Sequence, residues 1–242
     1  MKVFLGHKFS TTKQQPPAAK TQTMIFSNRL SVDSVCFTSI SLKMQYTKKE
    51  QEAYNLAQKL FEGKYRKDNI TPYFKHCEDV GNKLKESGYD EDTVSAGFLH
   101  DVVDDIKGWT TEKIEQLFGK KTATLVEEAS HGDATTDWNV KLFNALEKLK
   151  KISTEGRALV ASDKMSSIKD DIKAFKVEGD RVFDKLKSGP ERQLFKHLLF
   201  HSEIMKKNPP NEPLRSDYNE NINTYTQMAQ SIISRAITRL VA

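Results

Sequence analysis

Apolar residues in this chain recur three and four positions apart over most of its length, the spacing that gathers them on one face of a helix. Tyr54, Ala57 and Phe61, with Leu56 and Leu60, make a first stripe, and His76, Val80 and Leu84 follow on a second. Ile114, Leu117 and Phe118, then Leu125, Val126 and Ala129, then Leu142, Phe143, Leu146 and Leu149 continue the pattern. Leu159, Val160, Met165 and Ile168 form another stripe, and Val182, Phe183 and Leu186 precede Leu194, Phe195, Leu198, Leu199 and Ile204. No strand-like alternation lasts more than a few residues and no segment repeats. The pattern predicts an all-α fold.

Start and stop signals divide this pattern. Thr47, with Glu50 three residues on, has the form of a capping box, and Gly63 stops that helix. Thr71-Pro72 opens a second helix with Pro at its first position. Asp90 or Asp92 caps a third, expected to run on to near Gly108. Thr110 or Thr111 starts a fourth that Gly119 closes, residues 121–130 read as a fifth, and His131-Gly132-Asp133 reads as a turn. Trp138 to Lys150 is helical, and Gly156 interrupts before Arg157 to Ala174 resumes. Asn208-Pro209-Pro210-Asn211-Glu212-Pro213 reads as a stiff polar linker. Beyond it, Ile222, Tyr225, Ala229, Ile232, Ile233, Ala236, Ile237 and Leu240 form an amphipathic C-terminal helix. That helix could pack on the body or on another subunit, which makes it the candidate homo-oligomer contact.

Charge refines the picture. The formal net charge of +5 comes entirely from residues 1–44, where six basic residues face Asp33 alone. The remainder is neutral, which argues against a nucleic-acid partner. Residues 1–44 are also rich in Ser, Thr, Lys and Gln and hold no helical period. They read as a disordered extension or, with less support because Arg29 is their only arginine, as an organelle-targeting peptide. The expected layout is extension 1–44, main domain 45–205, and linker plus helix 206–242. No apolar run is long enough for a membrane span. Cys36 and Cys77 make no disulfide framework and suit a reducing compartment, so the expected location is cytoplasmic.

The chemistry concentrates in Gly97-Phe98-Leu99-His100-Asp101-Val102-Val103-Asp104-Asp105. On a helix His100 lies one turn from Asp104, and Asp101 one turn from Asp105. Alone, this stretch is equally a charged helix start. Asp163 is a carboxylate on an otherwise apolar stripe, where burial is costly unless it is paired or metal-bound. A salt bridge would satisfy it, just as an ordinary core environment would satisfy His76. Together, His76, His100, Asp101 and Asp163 supply two imidazoles and two carboxylates, a mixture suited to Mn²⁺, Fe²⁺ or Zn²⁺ with positions left for water. Cys77, about 100° round the helix from His76, reads as core.

The order His76, His100-Asp101, Asp163 resembles the HD superfamily of metal-dependent phosphohydrolases. Arg66-Lys67 ahead of Thr71-Pro72-Tyr73-Phe74-Lys75-His76, then Leu99 to Asp105, Thr111-Glu112-Lys113-Ile114, Phe118-Gly119, Trp138 and Ser162-Asp163-Lys164-Met165 resemble the hydrolase domain of RelA/SpoT-type proteins. The likeness is nearest to the small stand-alone (p)ppGpp hydrolases and covers roughly residues 47–205. It implies an HD-type helical bundle and one divalent ion, usually Mn²⁺, held by His76, His100, Asp101 and Asp163. It implies removal of pyrophosphate from the 3′ position of a guanosine tetra- or pentaphosphate. Asp104 and Asp105 would handle the attacking water and leaving group, and Arg66, Lys67, Lys164 and Ser167 would meet the nucleotide. The sequence departs from the family at four positions. Asp104 replaces Glu and reaches roughly 1.5 Å less far; Ile106 replaces Thr, Ser167 replaces Asn, and Val160 replaces Lys. These departures leave two alternatives open: a phosphatase of another nucleotide or dinucleotide, and a nucleotide-binding HD protein without turnover.

Overall fold

The structure, a computed structural model, describes residues 44–66, 69–131, 137–179, 181 and 189–241. Lys67, the segment 1–43, Gly132-Asp133 and Val182, Phe183 and Leu186 lie outside them. The described residues form ten α-helices and one isolated antiparallel bridge, Tyr65 to Pro72. The all-α expectation holds.

The helices are α1 Lys48–Leu60, α2 Phe74–Glu86, α3 Glu91–Leu99, α4 Val102–Asp105, α5 Thr111–Phe118, α6 Lys120–Ala129, α7 Trp138–Leu149, α8 Thr154–Glu178, α9 Gly189–Lys207 and α10 Arg215–Val241. Local chemistry sets many of their starts. Thr47 and Glu50 close a reciprocal capping box on α1. Asp90 accepts from the Thr93 N–H at 3.0 Å to cap α3, and Asp137 accepts from the Asn139 and Val140 N–H groups to cap α7.

Three expectations are corrected. The second helix starts at Phe74, not Pro72, because Pro72 pairs with Tyr65. The third does not run unbroken to Gly108. It divides at His100-Asp101, and the His100 side chain takes over the hydrogen-bonding of the Gly97 carbonyl. Gly156 does not interrupt a helix. It lies in the first turn of α8, where its N–H meets the capping Ser153 hydroxyl at 2.9 Å. A Cβ there would stand 2.0 Å from a Glu128 carboxylate oxygen, so close approach, not a break, explains the glycine.

Gly81 on α2 and Gly97 on α3 make the tightest crossing. A Cβ on Gly97 would lie 2.9 Å from Gly81 Cα, and one on Gly81 would meet the Phe98 ring at 2.3 Å. Phe98 packs edge-on against Tyr46 and Tyr54. α2 also packs on α8, so three helices converge on one polar spot inside an apolar core.

Residues 208–213 are anchored rather than free. Asn208 and Glu212 are buried; Asn208 accepts from Arg157 Nε at 2.6 Å, and Glu212 accepts from the Tyr89 hydroxyl and the Leu214 N–H. This returns α10 onto α8 and α9, burying Leu214, Tyr218, Ile222, Tyr225 and Ala229. Among the described residues no helix is long and apolar enough to cross a membrane.

Candidate metal centre

Three chain segments deliver the cluster. His76 comes from the first turn of α2, His100 and Asp101 from the junction of α3 and α4, and Asp163 from the middle of α8. One ligand atom from each of His76, His100 and Asp163 fits within a mutual distance of 4.8 Å. His76 Nε2 is 3.3 Å from Asp163 Oδ1 and 3.6 Å from Asp101 Oδ2, and His100 Nε2 is 3.1 Å from Asp101 Oδ2. All four residues are buried.

The outer ring nitrogens fix how both imidazoles point. His100 Nδ1 is 2.9 Å from the Gly97 carbonyl, which can only accept, so Nδ1 carries a proton and, in the neutral ring that a metal ion requires, Nε2 presents the lone pair. His76 Nδ1 lies 2.9 Å from the Ser166 hydroxyl. Anchoring one ring nitrogen and aiming the other inward is the usual dress of a metal-binding histidine. His100 Nε2 is fully buried and has no hydrogen-bond partner of good geometry. A buried polar atom left without a partner costs roughly 1–3 kcal/mol. A divalent ion would remove that deficit, and the nitrogen and oxygen donors suit one.

Burial opposes charge on His100, but in the absence of an ion the Asp101 carboxylate beside it, with Asp163 and the Gly97 carbonyl, raises its pKa to about 9, so the ring holds a proton that a bound ion would displace. Burial likewise disfavours the charged carboxylates. His100 and His76 nevertheless hold Asp101 below the ordinary range, and Lys164 and His76 hold Asp163 well below it. The pocket thus keeps both carboxylates ionised, matched in the absence of an ion by His100 and Lys164. Cys77 is buried near His100 and Asp101, and burial pushes its thiol well up, leaving an uncharged core group.

The other sequence candidates are placed as follows. Arg66 donates to Asp170 Oδ2 at 2.9 Å and sits over the Tyr73 ring at 5.5 Å. Lys164 is buried, with Nζ 2.7 Å from Asp163 Oδ2 and over the Phe200 ring, so its first partner is the carboxylate next to it. Ser167 Oγ lies 3.5 Å from Asp163 Oδ1. Asp104 turns to the end of α6, accepting from Ser130 Oγ at 2.6 Å and the His131 N–H at 2.8 Å, with His131 Nδ1 at 3.2 Å. Asp105 lies near enough to the Tyr73 hydroxyl to raise its pKa, and its backbone carbonyl accepts from Lys64 Nζ at 2.6 Å.

Sequence reasoning missed Tyr73, Ser166, Ser130 and His131. Tyr73 and Ser166 stand three residues from His76 and Asp163, and that spacing was the available signal. Nothing in the sequence links Asp104 to a loop twenty-seven positions away.

Comparison with known proteins accords with this geometry. A family model described as an HD domain matches residues 53–172. A probable guanosine-3′,5′-bis(diphosphate) 3′-pyrophosphohydrolase of Synechocystis is 47% identical over 62 residues, 26% of this chain and 8% of that protein. The bifunctional (p)ppGpp synthase/hydrolase SpoT of Escherichia coli is 40% identical over 86 residues, 36% of this chain and 12% of its own length. The chain thus spans about a tenth of these curated relatives. Among solved structures, the Listeria monocytogenes protein lmo0812 superposes with a TM-score of 0.57 at 24% identity, covering 66% of this chain and 99% of that one. A metazoan ortholog of SpoT, reported to hydrolyze ppGpp, superposes with a TM-score of 0.60 at 21% identity, covering 74% and 97%. His76, His100, Asp101 and Asp163 all lie inside residues 53–172, the stretch of this chain that matches the HD-domain model.

Proposed function

We propose that this chain is a divalent-metal-dependent phosphohydrolase that removes pyrophosphate from the 3′ position of guanosine 3′,5′-bis(diphosphate). The observation that carries the reading is the buried four-residue cluster, with His100 Nε2 unpartnered and both imidazoles aimed inward. The names of the Synechocystis and Escherichia coli relatives support the substrate. His76, His100, Asp101 and Asp163 would hold the ion, which we take to be Mn²⁺. When bound, it supplies a Lewis acid and lowers the pKa of a coordinated water.

The protein's own groups do the rest. Tyr73 fixes Asp101 through a 2.9 Å hydrogen bond. Arg66, held by Asp170, offers a planar guanidinium for phosphate or for stacking. Lys67 adds charge beside it in sequence, and Ser167 lines the Asp163 face of α8. Asp104 and Asp105 are the carboxylates assigned to proton handling, since general acid–base work requires a group within about 3 Å of the proton, directly or through one water.

One observation favours a second reading, a nucleotide-binding HD protein without turnover. The Asp104 carboxylate already accepts from Ser130 and His131, which leaves less of it for a substrate proton. A single assay separates the two. Incubated with Mn²⁺ and guanosine 3′,5′-bis(diphosphate), the enzyme releases pyrophosphate and GDP in equal amounts, and chelation abolishes release. Thermal stabilisation by the nucleotide with no product would favour the binder. Orthophosphate from other nucleotides alone would redirect the substrate.

A further inference from the structure

Tyr73 belongs to no set of residues that the sequence pattern assigns to the centre, yet it touches both halves of it. Its hydroxyl lies 2.9 Å from Asp101 Oδ2, the same oxygen that faces His100 Nε2 at 3.1 Å. Its ring stacks on Phe61 at 4.8 Å with an interplanar angle of 17°. The Arg66 guanidinium also lies over that ring, and the ring edges against His76. Backbone pairing fixes this arrangement. Tyr73 N–H donates to the Lys64 carbonyl at 2.9 Å, and Arg66 N–H donates to the Thr71 carbonyl at 2.8 Å. This backbone pairing places the guanidinium and the phenol in register.

We propose that Tyr73 is a positioning residue with two separable tasks: its hydroxyl sets the orientation of the Asp101 carboxylate toward the metal, and its ring sets the Arg66 guanidinium toward the nucleotide. The inference rests on the metal-centre reading above. A carboxylate rotates freely about its last bond unless something fixes it, and outer partners of metal ligands typically govern affinity by about 10–100-fold. A guanidinium over an aromatic face is held by the ring quadrupole, which does not depend on the hydroxyl.

The two tasks separate by substitution. Tyr73→Phe keeps the ring and removes the hydroxyl; Tyr73→Leu removes both. Mn²⁺ affinity is measured by calorimetry, and KM for guanosine 3′,5′-bis(diphosphate) at saturating Mn²⁺. Tyr73→Phe weakens Mn²⁺ by about 10-fold or more and leaves KM within about twofold. Tyr73→Leu weakens Mn²⁺ similarly and raises KM as well, toward the value of Arg66→Ala. Helical circular dichroism and melting of Tyr73→Phe, the milder change, check that the fold survives. Wild-type Mn²⁺ affinity in Tyr73→Phe would overturn the hydroxyl's task while leaving the centre intact. Equal KM in the Phe and Leu variants would overturn the ring's task. A wild-type protein that binds no Mn²⁺ would remove the metal-centre reading and this inference with it.

Discussion

Gly97→Ala tests whether helix spacing, rather than the ligands alone, builds the centre. The added methyl stands 2.9 Å from Gly81 Cα and 3.2 Å from Gly81 N, both backbone atoms, and 2.8 Å from a Leu84 methyl. Ordinary carbon contacts lie near 3.5–4.0 Å, so α2 and α3 must part by roughly 0.5–1 Å. Overpacking of this kind costs about 1–3 kcal/mol. Alanine recovers about 1 kcal/mol of helix propensity over glycine. The expected net loss is therefore about 1 kcal/mol, or a fall of about 2–4 °C in Tm for a domain of this size. The second consequence is local. The Gly97 carbonyl anchors His100 Nδ1, while His76 rides on α2, so parting the helices separates the two imidazoles. Mn²⁺ affinity should fall by more than the stability loss alone would give. Urea unfolding without metal and calorimetric Mn²⁺ titration read the two effects independently. A Gly97→Ala protein that is more stable than wild type and binds Mn²⁺ equally well would refute the argument, because propensity would then have won with no displacement.

Two further outcomes follow from single side chains. Asp104→Asn removes the charge and one acceptor oxygen from a carboxylate that Ser130 and His131 share. It should lower kcat by about 10²–10⁴-fold if Asp104 moves a proton, with Mn²⁺ content unchanged; turnover within a few-fold of wild type would leave Asp105 as the acidic candidate. His197 is buried, and burial followed by the charges of Lys196 and Lys164 holds its pKa well below 6.5. The unfolded chain therefore binds a proton that the native one refuses, and stability drops as pH falls below 6.5. Replacing His197 with Gln should flatten the stability curve between pH 6.5 and 5 by up to about 1.4 kcal/mol per pH unit, one proton's worth. Parallel slopes in the two proteins would show that His197 is not the group responsible.

Much of this fold was legible because its helices are local decisions. The capping box of Thr47 and Glu50, the Asp90 cap and the apolar stripes are written within a few residues of where they act. What failed did so where a partner from elsewhere overrode local preference. Pro72 is an excellent first helical residue, but the bridge to Tyr65 claims it. Gly156 reads as an interruption until Glu128 is seen filling the space a side chain would need. The stiff polar linker at 208–213 is legible from its prolines, but not that Arg157 and Tyr89 hold Asn208 and Glu212.

The centre divides along the same line. Its four candidate ligands could be named from residue type and order, because two imidazoles and two carboxylates on otherwise apolar helices have few bland explanations in combination. Their supports could not, since any serine or tyrosine near a ligand is an ordinary residue until geometry selects it. Ser166 is selected by its 2.9 Å approach to His76, and Tyr73 by its reach to Asp101. Lys164 shows how geometry adds a partner that sequence does not name. A lysine beside a metal-site aspartate suggests a hand extended to phosphate, yet its ammonium is buried against Asp163 and Phe200. Withdrawing a lysine from solvent is costly unless a nearby anion compensates, and Asp163 is that anion. A cation held by His76, His100 and Asp163 would compete with Lys164 for the same carboxylate charge. Lys164 would thereby temper how tightly Asp163 could hold an ion, a task that residue type alone gave no reason to expect.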